Sequence, residues 1–202
     1  VYALAAHPDG SSVIVGGRFL SLSGQSRDYI GALDVTTGAA TTWRPATPCT
    51  DEQYPCYIHD LATDIGSVYT AIGGPGGRVS AIDLVTGRVR WNAYGDGDVQ
   101  AVAVDGATVY GGGHFDVNFG RQERSGIVAL NVTTGGVVDG FAPKLLEGLG
   151  VFTILPDKDF LRVGGGFTTL DGLETEQRFT SFSRVPEPED LEPPTTPRSL
   201  RA

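Results

Sequence analysis

Methionine is absent from the 202 residues, cysteine and tryptophan occur twice each, and histidine occurs three times. The longest unbroken apolar run, Val1 to Ala6, falls far short of the roughly 20 residues a membrane-crossing helix requires, so no segment reads as a membrane span. The chain opens directly on the strand-like Val1-Tyr2-Ala3-Leu4-Ala5, and a signal peptide is neither visible nor excluded. Basic residues are also scarce, at 15 against 24 acidic ones, giving a net charge of −9. Sequence-independent affinity for nucleic acid depends on Lys and Arg releasing counterions from phosphates, and here they are few and scattered. Nucleic acid and anionic membrane are therefore not the expected partners.

The few histidines each have an aspartate nearby: His7 with Asp9, His59 with Asp60 and His114 with Asp116. They fall at three different points of the repeat described below, so they do not predict a shared catalytic or metal site. No nucleophile motif of the G-x-S-x-G kind is present, since Gly24-Gln25-Ser26-Arg27 and Gly10-Ser11-Ser12-Val13 both fail it. No cofactor is expected. Asp96 and Asp98, in Asp96-Gly97-Asp98, offer at most a partial calcium set, because that ion takes six to eight oxygens.

The two cysteines, Cys49 and Cys56, bracket a short polar loop and lack zinc-like histidine spacing. A disulfide between them closes a small ring worth about 2.5 kcal/mol in the chain-entropy model. Such a bridge implies an oxidising compartment, so the expected setting is secreted or extracellular.

Glycine, by contrast, is abundant, at 29 residues, and it is patterned. Four passes of one motif begin at Val1, Ile58, Val99 and Val151. Each opens with a short apolar strand, turns, and runs a second strand into glycines: Gly16-Gly17, Gly73-Gly74, Gly112-Gly113 and Gly164-Gly165. Phe19, Phe115 and Phe167 follow three of these pairs, two residues on, and read as wedges between blades. A third strand carries Ala32-Leu33-Asp34, Ala81-Ile82-Asp83, Ala129-Leu130-Asn131 and the degraded Ser181-Phe182-Ser183. The first three lead into Thr-Gly turns, where glycine supplies a positive φ and the Asp or Asn ties down backbone donors. A variable fourth strand passes through Trp43, Trp91 or Phe141.

Four short strands per period of roughly 50 residues predict an all-β propeller segment of four blades, the last one incomplete. The blades span about 1–48, 57–95, 98–143 and 149–185. The second lacks the long loop that joins strands two and three in the others. Residues 186–197 form a proline-rich acidic linker, and 198–202 begin a further domain. With no fourth strand in the last blade, these repeats are expected not to close a ring alone, so further blades must come from the same gene or a second chain.

The glycine pair, phenylalanine, Gly24-Gln25-Ser26-Arg27 loop, Ala-Leu-Asp and Thr-Thr-Gly together resemble the delta-60, or DUF5122-type, propeller repeats of secreted bacterial surface proteins, actinobacterial ones among them. The resemblance covers residues 1 to about 185. In that family such repeats precede adhesive modules, and Pro193 to Leu200 is similar to the start of a fibronectin type III domain. Ala81 to Trp91 also matches the tryptophan-docking motif of quinone-dependent propellers, which implies a dehydrogenase-like alternative.

The leading expectation is an extracellular binding or scaffold module that presents its loops to a glycan, protein or cell-surface partner. A non-catalytic propeller part of a larger secreted enzyme or toxin is the second reading. Loops around 21–28, 118–124 and 171–176 should share one rim with 47–57 and 95–98, and that rim is the expected binding face. Arg27, Arg78, Arg124 and Arg178, at similar offsets before the third strand, read either as an anion-binding series or as partners for groups of a neighbouring blade. Asn131-Val132-Thr133 matches the glycosylation sequon.

Overall fold

The computed structural model describes residues 1–46, 56–74, 76–174 and 178–183. Cys49, most of the linker-side tail and the expected further domain therefore lie outside the described residues. The described chain is a β-propeller arc, with antiparallel sheets and no helix among the described residues.

The first blade consists of β1 (Ala3–Ala6), β2 (Ser12–Gly16) and β5 (Ile30–Asp34), with the small hairpin β3 (Ser21–Leu22) and β4 (Gln25–Ser26) inserted before β5. The second is β6 (Tyr57–Thr63), β7 (Ser67–Gly73), β8 (Arg78–Asp83) and β9 (Val89–Tyr94). The third is β10 (Asp98–Asp105), β11 (Thr108–His114) and β14 (Ile127–Asn131), with the hairpin β12 (Asn118–Phe119) and β13 (Gln122–Glu123). Next come β15 (Leu145–Leu146), then β16 (Val151–Pro156) and β17 (Phe160–Gly165), the hairpin β18 (Thr169–Leu170) and β19 (Leu173–Glu174), and β20 (Phe179–Ser183). Strands β16, β17 and β20 form the fourth blade, while β15 pairs with β18.

Two sequence expectations are corrected here. Among the described residues only the second blade has four strands. In the first and third, single bridges, Leu33 to Ala40 and Leu130 to Val137, stand where β9 would be, so Trp43 and Phe141 sit outside any strand. The long loops between strands two and three are two-residue hairpins in three of the four repeats. Their central pairs all have positive φ: Ser23 and Gly24 at 46° and 74°, Gly120 and Arg121 at 59° and 68°, Asp171 and Gly172 at 50° and 83°. That is the mirror-image turn whose twist matches a β-ribbon.

The core lies between blades rather than within them. Each blade has a face toward the preceding blade, its leading face, and one toward the next, its trailing face. Ala3, Ile14 and Ile30 of the first trailing face pack on Ile58, Leu61, Val68 and Ile82 of the second leading face. Tyr69, Ala71, Val79 and Ala81 then meet Val99, Val102, Val109 and Val128, and Ala101, Ala103 and Ile127 meet Val151, Ile154, Leu161 and Val163. The four blades pack in chain order, and no element of the first makes a comparable contact with the fourth. Stability in such a stack is a sum of nearest-neighbour junctions.

Glycine makes these junctions fit. A Cβ on Gly16 would lie 2.7 Å from Ile58, and one on Gly112 would lie 2.5 Å from Val151, both on the next blade. Each glycine is thus a notch for the following blade's first strand. In the second blade the notch is Ala71, which pairs with Asp60 as Gly112 pairs with Ala101 and Gly164 with Thr153. The Gly73-Gly74 pair therefore stands two residues beyond the register that the sequence pattern suggested. Gly164 shares the register of Gly112, and among the described residues no further blade packs against it.

The wedges split along the same line. Phe115 and Phe167 are 1% and 0% exposed, each on a leading face against the preceding blade. Phe19 is only half-buried.

Trp91 docks on the third blade, and its indole donates to the Val132 carbonyl at 3.0 Å. Trp43 packs on the first junction cluster, and Phe141 sits edge-on to Tyr110 and Phe182, 5.7 and 5.3 Å away. The Thr-Gly turns form as the sequence implies: Asp34, Asp83 and Asn131 each accept from the amides two and three residues on. These bonds, with Arg90 beside it, hold the Asp83 carboxyl well below the usual range.

Candidate interaction rim

Antiparallel pairing sorts the connections to two ends of the arc. The turns after each first and third strand lie at the lower end; the chain leaves each second strand and enters each first strand at the upper one, and the first hairpin folds back so that the Ser23 hydroxyl donates to the Gly38 carbonyl at 3.2 Å. Hydrogen bonds tie the upper connections together. Asp96 accepts from the amides of Val117 and Asn118 at 3.1 and 3.2 Å, and Gly95 bridges to Phe119, joining the second blade's exit to the third blade's hairpin. One blade further on, β15 pairs with β18, and the Lys144 amide donates to Asp171 at 2.8 Å. Lys144 also pairs with Glu123 at 2.5 Å, which lowers the Glu123 pKa and raises that of Lys144.

A single residue per blade occupies the upper start of each innermost strand. Register shifts leave His59 as an extra residue between Ile58 and Asp60, Gln100 between Val99 and Ala101, and Phe152 between Val151 and Thr153. Tyr2 precedes Ala3 at the corresponding point of the first blade. A bulge frees its extra side chain from the blade face. Tyr2 and His59 stack at 6.1 Å with rings 14° apart, and the Tyr57 ring lies 6.1 Å from His59. The Arg18 guanidinium sits 5.0 Å over Tyr57. Tyr2 and Phe152 are 58% and 48% exposed, and the Gln100 Oε1 is buried with no hydrogen-bond partner. Gly73 belongs to this site, since a side chain there would collide with the His59 imidazole.

Asp60, next in sequence, bonds the amides of Leu61 and of Val102 on the third blade at 2.9 and 3.0 Å. Burial outweighs those bonds and pushes its carboxyl pKa up.

The remaining sequence candidates divide clearly. His7 lies at the lower end with Asp9, 2.7 Å away, remote from His59 and His114 at the upper end. Asp96 bonds the hairpin amides, and Asp98 accepts from the Gly74 amide at 2.6 Å. Among the described residues no group of three or more His, Cys, Asp or Glu is placed to hold a metal ion. Arg27 and Arg124 are buried, and each bonds carbonyls of its own repeat, Ser26 and Thr41 in one, Glu123 and Val138 in the other. They clamp the hairpin to the blade's outer segment rather than reaching a neighbouring blade. Arg178 stands at the register position of Arg78, but it is exposed with a positive φ like Tyr29, whereas Arg78 is buried and donates to the Gly76 carbonyl at 3.0 Å. Cys56 heads β6, 9% exposed, and is not a free thiol, whereas its predicted partner Cys49 lies outside the described residues.

The row Tyr2, His59, Gln100 and Phe152 was missed at the sequence level because bulges hide in letter patterns. Its only signal is one extra residue between the paired apolar positions of each first strand.

No protein-family model and no curated protein matches the chain. Solved structures do. The chain resembles the computationally designed Ika4 protein with a TM-score of 0.55 at 15% identity, covering 91% of this chain and 90% of that one. U3-55K gives 0.56 at 15%, covering 90% of this chain and 51% of that one. The WD40 repeats of RRP9 give 0.53 at 14%, covering 80% and 47%. At these identities the likeness speaks to the fold, a propeller, and the chain spans about half the length of the latter two.

Proposed function

We propose that this chain is an extracellular binding and scaffold module whose upper rim receives a protein, glycan or cell-surface partner. The observation that carries this reading is the row of one residue per blade at the start of the innermost strands, with Tyr2 and Phe152 exposed among hydrogen-bonded hairpins. Propellers of the WD40 type are interaction scaffolds in general, which favours the same reading. Membership of the secreted delta-60 repeat proteins, a fibronectin type III module after the linker, and closure by further blades of the same gene or another chain belong to this proposal. So does the Cys49–Cys56 bridge: non-reducing mass spectrometry of a peptide spanning both should run two protons light. Two free thiols would remove the argument for secretion.

The rim assignment is tested by paired charge reversals. Arg121→Glu at a hairpin tip and Lys158→Glu at the lower end are compared for binding to immobilised glycans and cell-envelope preparations. Loss with the first and not the second, at an unchanged melting temperature, supports the rim; the opposite result rejects it.

A further inference from the structure

We infer that the bulge row Tyr2, His59, Gln100 and Phe152 is a subsite for a neutral carbohydrate chain, an inference that rests on the rim reading above and narrows its ligand. The four residues stand at one repeat position, so they follow one another around the inner edge of the arc as the first strands do. Three of them, His59, Gln100 and Phe152, follow residues committed elsewhere. Ile58, Val99 and Val151, one residue before, are fully buried in the blade junctions. The bulge residues themselves are the ones the packing does not consume.

Their chemistry specifies what binds. Tyr2 and His59 lie nearly parallel, and Phe152 presents a half-exposed ring, so the row offers flat apolar faces. Aromatic side chains of this kind supply rigid contact area at low entropic cost. Between these rings, Gln100 holds a buried Oε1 without a donor. An unpaired buried acceptor is costly, and a ligand hydroxyl relieves that cost. A ligand that has apolar C–H faces together with hydroxyl donors is a pyranose. The polar tips nearby, the Tyr2 hydroxyl and the Arg18 guanidinium over Tyr57, supply further donors for ring and glycosidic oxygens. With a net charge of −9, the chain repels a polyanion, which directs the choice to uncharged sugars. One ligand position per blade suits a chain of several residues rather than a monosaccharide. Sites of this kind combine an apolar lining with a small number of placed polar groups.

The test is isothermal titration of the protein with cello-, xylo-, chito- and malto-hexaose, and with a polygalacturonate oligomer as the charged control. At least one neutral hexaose should bind, and the polyuronate should bind at least tenfold more weakly. Tyr2→Ala and Phe152→Ala should each weaken binding about tenfold, Gln100→Leu by a similar factor, and Tyr2→Phe much less, all with unchanged melting temperature. Absence of binding to every neutral hexaose at millimolar concentration overturns the inference, as does binding indifferent to Tyr2→Ala and Phe152→Ala. A protein or anionic ligand that is lost with Arg121→Glu but retained in Tyr2→Ala also overturns it while leaving the rim reading in place.

Discussion

On the leading face of the first blade, Val1 and Leu4 are 67% and 64% exposed, and Val13, Phe19 and Leu33 are half-buried. Every one of these positions carries an apolar residue, as it does on the leading faces of the third and fourth blades, where Val99, Val102, Val151 and Ile154 are almost wholly buried. The trailing face of the fourth blade is built otherwise. Thr153, Arg162 and Ser181 stand where the first and third blades have alanine, isoleucine or tyrosine, and Asp157 pairs with Arg162. The leading face thus has the composition of an interior junction. The trailing face is mixed, because these polar residues stand beside Leu155 and Phe179, 60% and 47% exposed. The difference explains why the fourth repeat reads as degenerate: it is degenerate on one side. Phe182 still packs into the third junction, while Ser181 and Ser183 have lost the Ala and Asp of the other repeats.

The sharpest way to break this comparison is to truncate one knob in each setting. Ile154→Ala, inside the third junction, should cost about 2–5 kcal/mol in urea unfolding, whereas Leu4→Ala at the equivalent free position should cost within about 0.5 kcal/mol. Equal losses would mean that the leading face is covered in solution. The notch gives the next largest contrast. Gly112→Ala should destabilise by about 1–3 kcal/mol through overpacking against Val151 and Ile154. Gly164→Ala meets only the Thr153 methyl, at 3.1 Å, and should stay within about 0.5 kcal/mol. A smaller effect is expected from Trp91→Phe, which deletes the bond to Val132 and should lower stability by about 1 kcal/mol. Phe141 fills the matching place in the third blade without that bond, so a larger loss would show that the two junctions are closed differently.

The smallest effect is one of pH. The Asp83 carboxyl, held down by the amides of Thr86 and Val85 and by Arg90, is deprotonated in the native state at a pH where the unfolded chain has bound its proton. Its contribution is therefore present above its ordinary pKa of 3.8 and fades as pH falls through and below that value. Asp83→Asn keeps the turn, as Asn131 does naturally, and should flatten this part of the acid-unfolding curve. An unchanged slope below pH 4 would assign the acid sensitivity to other carboxylates.

Much of the fold was legible because its periods are local. The first three strands of each repeat and the Thr-Gly turns follow from alternating apolar residues and from Asp or Asn three residues before a threonine. What escaped the sequence depends on register. A glycine pair looks the same whether it forms a notch, as at Gly112, or makes room for an imidazole, as at Gly73. The hairpins were also hidden, since only Ser23-Gly24 and Asp171-Gly172 carry a familiar turn signal and Gly120-Arg121 reverses it. The site was less legible than the fold. Its residues, Tyr, His, Gln and Phe, share no chemistry that a pattern search could detect, and only strand pairing shows that they occupy one position.

The hairpin tips have one further consequence. Ser23, Gly24, Asp171 and Gly172 stand beyond the last ladder pair of their ribbons, and a Cβ on Gly24 or Gly172 would meet no atom within 4 Å. Arg27 anchors the base of the first hairpin, and at its tip the Ser23 hydroxyl donates to the Gly38 carbonyl at 3.2 Å, so lengthening that tip puts one surface hydrogen bond at stake. Peptides inserted between residues 23 and 24 or between 171 and 172 would project from the first and fourth repeats. The arc is in this sense a ready display framework for recombinant loops, in which valency and spacing are set by the repeat and sequence is left to the engineer.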